Sequence, residues 1–188
     1  MKYNGLSGPL TYHQIGSIVM VILSIIVFVT CIIPSYSLKF KALSIILEAC
    51  TLILLVVFCL LTTLSNTADP LLDLESTTPQ NVEEIVKDIE TNMDKYLYCR
   101  NCKKIVHKES KHCKACNRCS LEFDHHCKWI NNCICKKNYS YFIITLISLL
   151  AYSLNFIGWN VYLCIEYGRQ TEEYKQRLRE AYFCITFQ

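Results

Sequence analysis

Three long apolar stretches constrain the fold of this 188-residue chain more than any other feature. The first, Ile15 to Ile33, has 19 residues without a charge and ends before Pro34. An α-helix of about 20 residues crosses a hydrocarbon core roughly 30 Å thick. We therefore predict transmembrane helices over residues 15–33, 42–64 and 141–167. A secretory signal peptide is the rival interpretation of the first stretch, but its apolar block is long and no small-residue cleavage site precedes Pro34.

Basic residues are concentrated between the second and third stretches. Eleven of the 19 Lys and Arg lie within residues 95–140, against three acids. Because basic loops are retained in the cytoplasm, this block is predicted to be cytosolic, and two preceding spans then make residues 1–14 a cytosolic tail. The positive block also favours an anionic lipid leaflet. We expect a multi-pass protein of an endomembrane (Golgi or endoplasmic reticulum) or of the plasma membrane.

Residues 69–94 form an acidic linker, with eight acids and one Lys. Thr78-Pro79 is typical of an N-cap followed by Pro at the first helical position. Apolar residues then recur at spacings of three and four, which predicts one face of a short amphipathic helix. These residues are Val82, Ile85, Val86, Ile89 and Met93. We expect this face to pack on the neighbouring domain or on a span.

Eight of the 13 cysteines lie between residues 99 and 135. In a reducing compartment that density favours metal binding over disulfides. Eight side chains in the block have ligand-type spacing: Cys99, Cys102, His112, Cys113, Cys116, Cys119, His126 and Cys133. Structural zinc sites take four nitrogen or sulfur ligands, so eight ligands predict two closed sites of three Cys and one His each. His107 has no partner at ligand spacing and is interpreted as a solvated loop residue.

The run Phe123-Asp124-His125-His126-Cys127 places an acid, two imidazoles and a thiol side by side. A thiol with a pKa near 8.5 is only a few per cent thiolate at neutral pH, so a nucleophilic Cys needs a base or positive neighbours. Cys127 is the candidate nucleophile, His125 the candidate base, and Asp124 the carboxylate that orients its ring. His126 cannot act as the base if it binds zinc, because a coordinated imidazole has no free lone pair.

The 44 residues from Cys99 to Phe142 follow C-x2-C-x9-H-C-x2-C-x2-C-x4-D-H-H-C-x5-C-x4-N-x3-F without a gap. This pattern resembles the DHHC protein S-acyltransferases, or palmitoyltransferases. Lys128-Trp129, where many members have Pro-Trp, and Asn131-Asn132 are similar to one subgroup. The resemblance implies a mainly α-helical, multi-pass transmembrane fold with a small cytosolic cysteine-rich domain, residues 95–140, that binds two structural zinc ions.

The same resemblance assigns roles to individual residues. It implies one zinc at Cys99, Cys102, His112 and Cys119, and the other at Cys113, Cys116, His126 and Cys133. It implies that Cys127 stays off the metal, is acylated from a long-chain acyl-CoA such as palmitoyl-CoA, and passes the acyl group to a cysteine of a substrate protein. The acyl chain would lie among the spans, partly lined by residues 141–167. Three basic side chains are candidates to attract the CoA phosphates: Lys128, Lys136 and Lys137.

Several features depart from the family pattern. Asp69-Pro70 is followed by Leu71 where Gly is usual, so the turn there is expected to differ. Cys135 stands where Gly is common and could compete for zinc or be acylated itself. Glu48 lies inside a span, which makes it a functional-site candidate unless it reaches the interface.

The C-terminal segment, residues 168–188, also departs from the family, which has four spans. Residues 171–180 are expected to form a polar loop, and residues 181–187 the start of a fourth span cut short. Gln170-Thr171-Glu172-Glu173 is similar to the family's Thr-Thr-x-Glu motif but would lie on the wrong side of the membrane. The chain is therefore expected to be a fragment or a divergent short form.

Two other functions compete with acyl transfer. The first is a membrane-tethered zinc-binding scaffold, catalytically weak because the acyl cavity would lack its fourth helix. The second, nucleic-acid binding by the zinc knuckles, is disfavoured because the domain is tethered to a membrane and no base-reading helix is evident. The expected partners are the lipid bilayer, acyl-CoA and substrate proteins with membrane-proximal cysteines, with no nucleic acid.

Overall fold

A computed structural model of the chain describes residues 2–35, 38–72, 79–169 and 172–186. The helices are α1 (Tyr12–Val27), α2 (Leu38–Leu64), α3 (Pro79–Thr91), α4 (Tyr139–Gly168) and α5 (Glu172–Thr186). The strands are β1 (Tyr96–Cys99), β2 (Lys104–His107), β3 (Lys111–Cys113), β4 (Arg118–Ser120), β5 (Phe123–Cys127) and β6 (Asn132–Cys135). Two compact units result: unit 1 comprises Met1–Gln14 and Cys59–Ile143, and unit 2 comprises Ile15–Phe58 and Ile144–Gln188.

Among the described residues, three helical segments are long and apolar enough to cross a membrane. They are Tyr12–Ile32, with a mean hydropathy of 2.9, Phe40–Leu64, with 2.7, and Tyr139–Gly168, with 1.8. Each contains or closely overlaps one of the three stretches expected from the sequence. The chain is therefore mainly helical, and its three apolar helices are compatible with a membrane protein.

The first apolar segment changes its helical form before Pro34. After Val27 the chain forms a π-helical turn over Phe28–Ile32 and a 3₁₀ turn over Ile33–Ser35. Proline has no backbone N–H and its ring clashes with the preceding turn, so a regular α-helix cannot continue through it. The Pro34 boundary read from the sequence therefore corresponds to a real end of regular helix.

Polar contacts join the helices of unit 2. Ser24 Oγ and Tyr152 Oη lie 2.7 Å apart, which links α1 to α4. Asn155 Nδ2 donates to Glu48 Oε2 at 2.6 Å, which links α4 to α2. Glu48 is only 4% exposed, so its side chain is a buried partner of α4. Side-chain hydrogen bonds of this kind are worth about 0.6 kcal/mol on average between transmembrane helices.

The polar stretch expected as a loop forms helix α5 instead, from Glu172 onward. Its first turn carries Glu172 and Glu173, which complement the positive end of the helix dipole. Arg177 Nη2 lies 2.6 Å from Glu173 Oε1 one turn away, and such i,i+4 pairs stabilise an exposed helix. Gln170 and Thr171 lie outside the described residues. The expectation of a loop was wrong because polarity alone does not exclude a helix when its charges pair at helical spacing.

The cysteine-rich part of unit 1 consists of three separate two-stranded antiparallel hairpins. β1 pairs with β2, β3 with β4, and β5 with β6. In the first two hairpins the second cysteine of a C-x2-C knuckle is followed by a residue with positive φ: Lys103 and Asn117, both at 53°. A two-stranded hairpin is only marginally stable in water, so these hairpins need additional cross-links to hold their conformation.

The end of α2 is tied to the third hairpin by amide side chains. Asn132 Nδ2 donates to the carbonyls of Thr62, Thr63 and Ser65 at 3.2, 3.1 and 2.9 Å. Asn138 Nδ2 adds a bond to the Thr62 carbonyl at 3.3 Å. The last carbonyls of a helix have no partner within the helix, so these buried amides satisfy them and attach α2 to β6.

Helix α3 begins at Pro79 as expected, while its proposed cap, Thr78, lies outside the described residues. The Tyr96 hydroxyl of β1 donates to the Asp88 carboxylate of α3. This bond holds the pKa of Asp88 below its usual value. The helix therefore contacts the first hairpin through a polar side chain, while Val86 and Met93 of the predicted apolar face are exposed, so the expected packing of that face stays a prediction.

Candidate functional site

The first Cys and His cluster joins the first two hairpins. Cys99 ends β1, Cys102 lies in the turn that follows, and His112 and Cys119 face each other on β3 and β4. Cys102 Sγ is 3.2 Å from His112 Nδ1 and 3.7 Å from Cys119 Sγ. All four donor atoms lie within 4.8 Å of one another. The strand register therefore brings together residues from two hairpins around one point.

The second cluster joins the second and third hairpins. Cys113 and Cys116 flank the start of the β3–β4 turn, and His126 and Cys133 face each other on β5 and β6. Cys116 Sγ lies 3.4 Å from His126 Nδ1 and 3.4 Å from Cys133 Sγ. These four donor atoms also lie within 4.8 Å of one another. Both clusters thus have the three-Cys, one-His composition expected from the sequence.

The donor spacing in both clusters fits a tetrahedral zinc ion. Zn–S bonds of about 2.3 Å at tetrahedral angles separate two sulfurs by ~3.8 Å. Without a cation, burial raises the pKa of the Cys119 thiol. A bound divalent cation would reverse that shift, because a coordinating thiol is deprotonated. The two clusters could therefore hold metal ions.

Strand alternation separates the two histidines of the DHHC run. Successive side chains of a strand point to opposite faces, so His125 and Cys127 share one face of β5 and His126 takes the other. His126 faces the second cluster, whereas the His125 ring packs edge-on against Phe142 with centroids 5.4 Å apart. The geometry therefore places His126 with the metal donors and His125 apart from them.

Cys127 lies outside both clusters, in an apolar environment of its own. It is 9% exposed and packs with Ile130 and Ile134, and Cys59 of α2 and Phe142 of α4 cover the same small core. Both covering residues belong to apolar helices that could cross a membrane. The thiol is therefore shielded from water beside the ends of two candidate spans.

Asp124 and His125 are both at the surface of the third hairpin. The register of β5 against β6 shifts between Phe123 and His125, so Asp124 is an additional, bulged residue. Asp124 Oδ2 lies 3.4 Å from His125 Nδ1, and the His125 side chain is 43% exposed. Within the described part of the chain, the structure forms no hydrogen bond between His125 and Cys127. The two predicted partners share a strand face but are not paired.

Comparison with protein families matches residues 92–187, about half of the chain, to the DHHC palmitoyltransferase family. The chain belongs to the DHHC palmitoyltransferase family. A search of curated proteins found no match. The region that matches the family includes both Cys and His clusters, Cys127 and helix α4.

The three lysines suggested for CoA phosphates are not brought together. Lys128 follows β5 at one end of the third hairpin, while Lys136 and Lys137 follow β6 at the other. The four residues of β6 separate these ends by ~13 Å at about 3.3 Å per residue. Lys136 also forms an ion pair with Glu122. The three charges therefore do not form one phosphate site in this structure.

Cys135 is buried but belongs to neither cluster. It is 2% exposed, and burial raises the pKa of its thiol. Its backbone N–H donates to Asn138 Oδ1 at 3.0 Å, which fixes the end of β6 next to the start of α4. Its position favours a packing role over the zinc competition considered from the sequence.

His107 is not the solvated loop residue expected from the sequence. It ends β2, and its Nδ1 lies 3.1 Å from Oδ1 of Asp69, whose side chain is fully buried. The same carboxylate accepts the His107 backbone N–H at 3.0 Å, the Leu71 N–H at 2.9 Å and the Ser110 hydroxyl. The Asp69-Pro70-Leu71 segment therefore anchors the linker after α2 to the first hairpin. No local pattern predicts this, since the partners are 38 residues apart.

A buried arginine at the centre of unit 1 was also not anticipated. Arg118 is fully buried, and its Nη2 donates to Thr67 Oγ1 at 2.6 Å and to Asn132 Oδ1 at 3.1 Å. Its Nη1 donates to the Lys2 carbonyl. In the sequence Arg118 is one of many basic residues of the block, so composition marks it only as a surface charge.

Proposed function

We propose that this DHHC palmitoyltransferase transfers a long-chain acyl group from acyl-CoA, through a thioester on Cys127, to cysteines of substrate proteins at the cytosolic membrane face. The observation that carries the proposal is the position of Cys127. It is a buried thiol outside both metal clusters, packed against Cys59 and Phe142 at the ends of two apolar helices. A nucleophile there would meet an acyl chain that enters from the bilayer.

The first chemical step is the attack of the Cys127 sulfur on the thioester carbonyl carbon of acyl-CoA. A new C–S bond forms to Cys127, the bond to the CoA sulfur breaks, and the proton leaves Cys127 for His125 and then for the CoA thiolate. In the second step a substrate thiol attacks the Cys127 thioester and gives its proton to His125. His125 then returns a proton to the Cys127 thiolate as the acyl group leaves. Both steps exchange one thioester for another, so neither requires an external energy source.

His125 is the proposed base because its ring shares a strand face with Cys127 and is partly exposed. Catalytic hydrogen bonds are often long or unformed before substrate binds. The 3.4 Å approach of Asp124 Oδ2 to His125 Nδ1 would shorten once the imidazolium forms, since the pair then carries opposite charges. Asp124 would thereby orient the ring and stabilise its charged state.

Two zinc ions would be held by Cys99, Cys102, His112 and Cys119, and by Cys113, Cys116, His126 and Cys133. Zinc in a closed four-ligand site cross-links the chain and contributes directly to folding. The β5–β6 pairing positions Cys127, and the apolar contacts of Ile130 and Ile134 would keep water from the thioester.

Labelling with the CoA thioester of a clickable palmitate analogue tests the proposal on the zinc-loaded 188-residue chain. We expect hydroxylamine-sensitive label on the wild type and its loss in Cys127→Ser, with bound zinc unchanged. Cys135→Ser is the matched control, because it removes another buried thiol of the same hairpin and should keep the label. Equal labelling of wild type and Cys127→Ser would refute the acyl-enzyme, and zinc without label on the wild type would favour a scaffold.

The two histidines offer a second matched comparison. His125→Ala should retain zinc and acylate about 100-fold more slowly, within the range of a lost general base. His126→Ala should lose zinc from the second cluster. If His125→Ala releases metal, the proposed division of the two histidines is wrong.

A further inference from the structure

The N-terminal segment, residues 2–14, contacts every residue of the turn that follows Cys127. Thr11 Oγ1 donates to the Lys128 carbonyl at 3.2 Å, and the His13 ring meets Trp129 edge-on at 5.2 Å. Gln14 Nε2 donates to the Ile130 carbonyl at 3.3 Å. The Asn131 side chain accepts from Lys2 Nζ at 3.0 Å and donates to the Gly5 carbonyl at 3.3 Å. Residues 128–131 are thus held from outside their own hairpin.

Gln14 has two separate functions in this arrangement. Its Oε1 accepts the Thr11 N–H at 3.0 Å while Thr11 Oγ1 accepts the Gln14 N–H at 3.2 Å, a reciprocal capping box at the start of α1. Its Nε2 donates to the carbonyls of Gly5 and Ile130. The Gln14 side chain is buried. The capping bond to Thr11 fixes the position of its amide, and the two amide hydrogens bond to the N-terminal segment and to the turn.

Gly5 leaves no room for a side chain. A Cβ at this position would overlap the Ile130 carbonyl and would lie 2.6 Å from Thr63 Cγ2. The Gly5 N–H donates to the Thr63 carbonyl at 2.7 Å, so the backbone of the segment fits between the end of α2 and the turn. Gly8 differs, since a Cβ there would meet only Lys2 Cε at 3.4 Å.

The far end of the segment is anchored at the second cluster. The Lys2 N–H donates to the Cys116 carbonyl at 3.1 Å, and the Lys2 carbonyl accepts from Arg118. Cys127 itself pairs with Asn132 across the hairpin. Asn131, the last residue of the turn before Asn132, has a φ of 53°. A displacement of the turn would therefore change the position of Cys127.

Resting on the function proposed above, we infer that residues 2–14 form a built-in clamp on the turn 128–131, with Gly5 and Gln14 as positioning residues for Cys127. The clamp holds the turn through the backbone carbonyls of Lys128 and Ile130 and through the side chains of Trp129 and Asn131. Loss of the clamp should lower the rate of acylation without removing metal and without weakening acyl-CoA binding.

A pair of glycine substitutions tests the clamp. Neither glycine has a positive φ, so Gly5→Ala and Gly8→Ala make the same chemical change and differ in the space available. At saturating acyl-CoA we expect Gly5→Ala to acylate Cys127 about tenfold more slowly than wild type, with KM for acyl-CoA within about twofold and zinc content unchanged. Tenfold corresponds to ~1.4 kcal/mol of activation free energy, about the net worth of one hydrogen bond. Gly8→Ala should match wild type.

Two variants of Gln14 decide the matter if Gly5→Ala fails to fold. Gln14→Met removes cap and clamp together, whereas Gln14→Glu keeps the capping acceptor and loses the donor to Ile130. The clamp requires both to be about tenfold slow. A wild-type rate in Gln14→Glu would show that the residue only caps α1 and would overturn the inference.

A readout without acyl-CoA separates this inference from the proposed function. In the zinc-loaded protein, alkylation of Cys127 by N-ethylmaleimide, with Cys127→Ser as background, should be about tenfold faster in Gly5→Ala and Gln14→Met than in Gly8→Ala. Equal alkylation rates would overturn the clamp even if the wild type acylates itself. Faster alkylation would support the clamp even if the wild type took no acyl group.

Discussion

Replacement of Asp69 by Asn should destabilise unit 1 by about 3 kcal/mol, because the fully buried carboxylate serves four donor groups. An amide has one acceptor oxygen. If that oxygen keeps the His107 N–H and the Ser110 hydroxyl, the new NH₂ group faces the Leu71 N–H, which loses its acceptor. One buried unsatisfied donor costs about 1–3 kcal/mol, and the remaining bonds lose the extra strength that a charged acceptor supplies.

The assay is thermal unfolding of the detergent-solubilised, zinc-loaded protein. For a chain of this size 1 kcal/mol corresponds to about 2–4 °C, so Asp69→Asn should lower Tm by about 6–12 °C. Ser110→Ala, which removes a single donor, should cost about 1 kcal/mol. Asp94→Asn is the matched control, since Asp94 is exposed and its change should lie within about 0.5 kcal/mol.

Asp69→Asn should also weaken metal binding at the first cluster. The Asp69 N–H donates to the Cys119 carbonyl at 2.8 Å, so a displaced Asp69 segment should loosen one metal site and leave the other intact. A chelator should then take one zinc faster from Asp69→Asn than from wild type. If Asp69→Asn melts within about 1 °C of Asp94→Asn, the carboxylate does not anchor the linker and the reasoning is wrong.

Three further predictions concern the metal, the spare thiol and the spans. Removal of zinc by a strong chelator should unfold the three hairpins and abolish acylation, and readdition of zinc should restore both; acylation that persists in metal-free protein would contradict a structural role for the ion. In metal analysis, Cys135→Ser should retain both metal ions, whereas Cys133→Ser should lose one. Loss of metal from the Cys135→Ser variant as well would place Cys135 among the ligands. Glu48→Leu should lower Tm, since the Asn155 amide loses a buried acceptor. Glu48→Gln should keep most of the stability, because its amide oxygen can still accept. Equal Tm values for the two variants would argue that the hydrogen bond contributes nothing.

Features with a local cause could be predicted from the sequence. Pro34 ends regular helix because proline lacks an N–H, and Pro79 begins α3 because that missing N–H is unpaired in any first turn. The C-x2-C knuckles are local in the same sense, since the chain between two ligands is too short to place them far apart. The stretch expected as a polar loop shows the limit: polarity suggested a loop, and the charge pairing along α5 made its described part, residues 172–180, a helix.

The two Cys and His clusters could be predicted only in part. Eight ligand-type residues could be counted, but their division into sets depends on which strand faces which. His112 and Cys113 are neighbours in sequence and belong to different clusters, because successive side chains of β3 point to opposite faces. The same alternation separates His126 from Cys127 on β5. Periodicity can be applied only after the strands are known, and strands of three to five residues give a weak sequence signal.

The sequence by itself determined the apolar helices, the ligand inventory and the candidate nucleophile, because hydrophobicity, ligand chemistry and thiol reactivity belong to residue types and short spacings. Only the tertiary structure decided that Asp69 meets His107, that Asn132 satisfies the end of α2, and that Gln14 reaches the turn after Cys127. These contacts join groups 38 to 116 residues apart. A buried amide or carboxylate can bond to any backbone group, so its partner is set by which backbone groups folding leaves unsatisfied nearby.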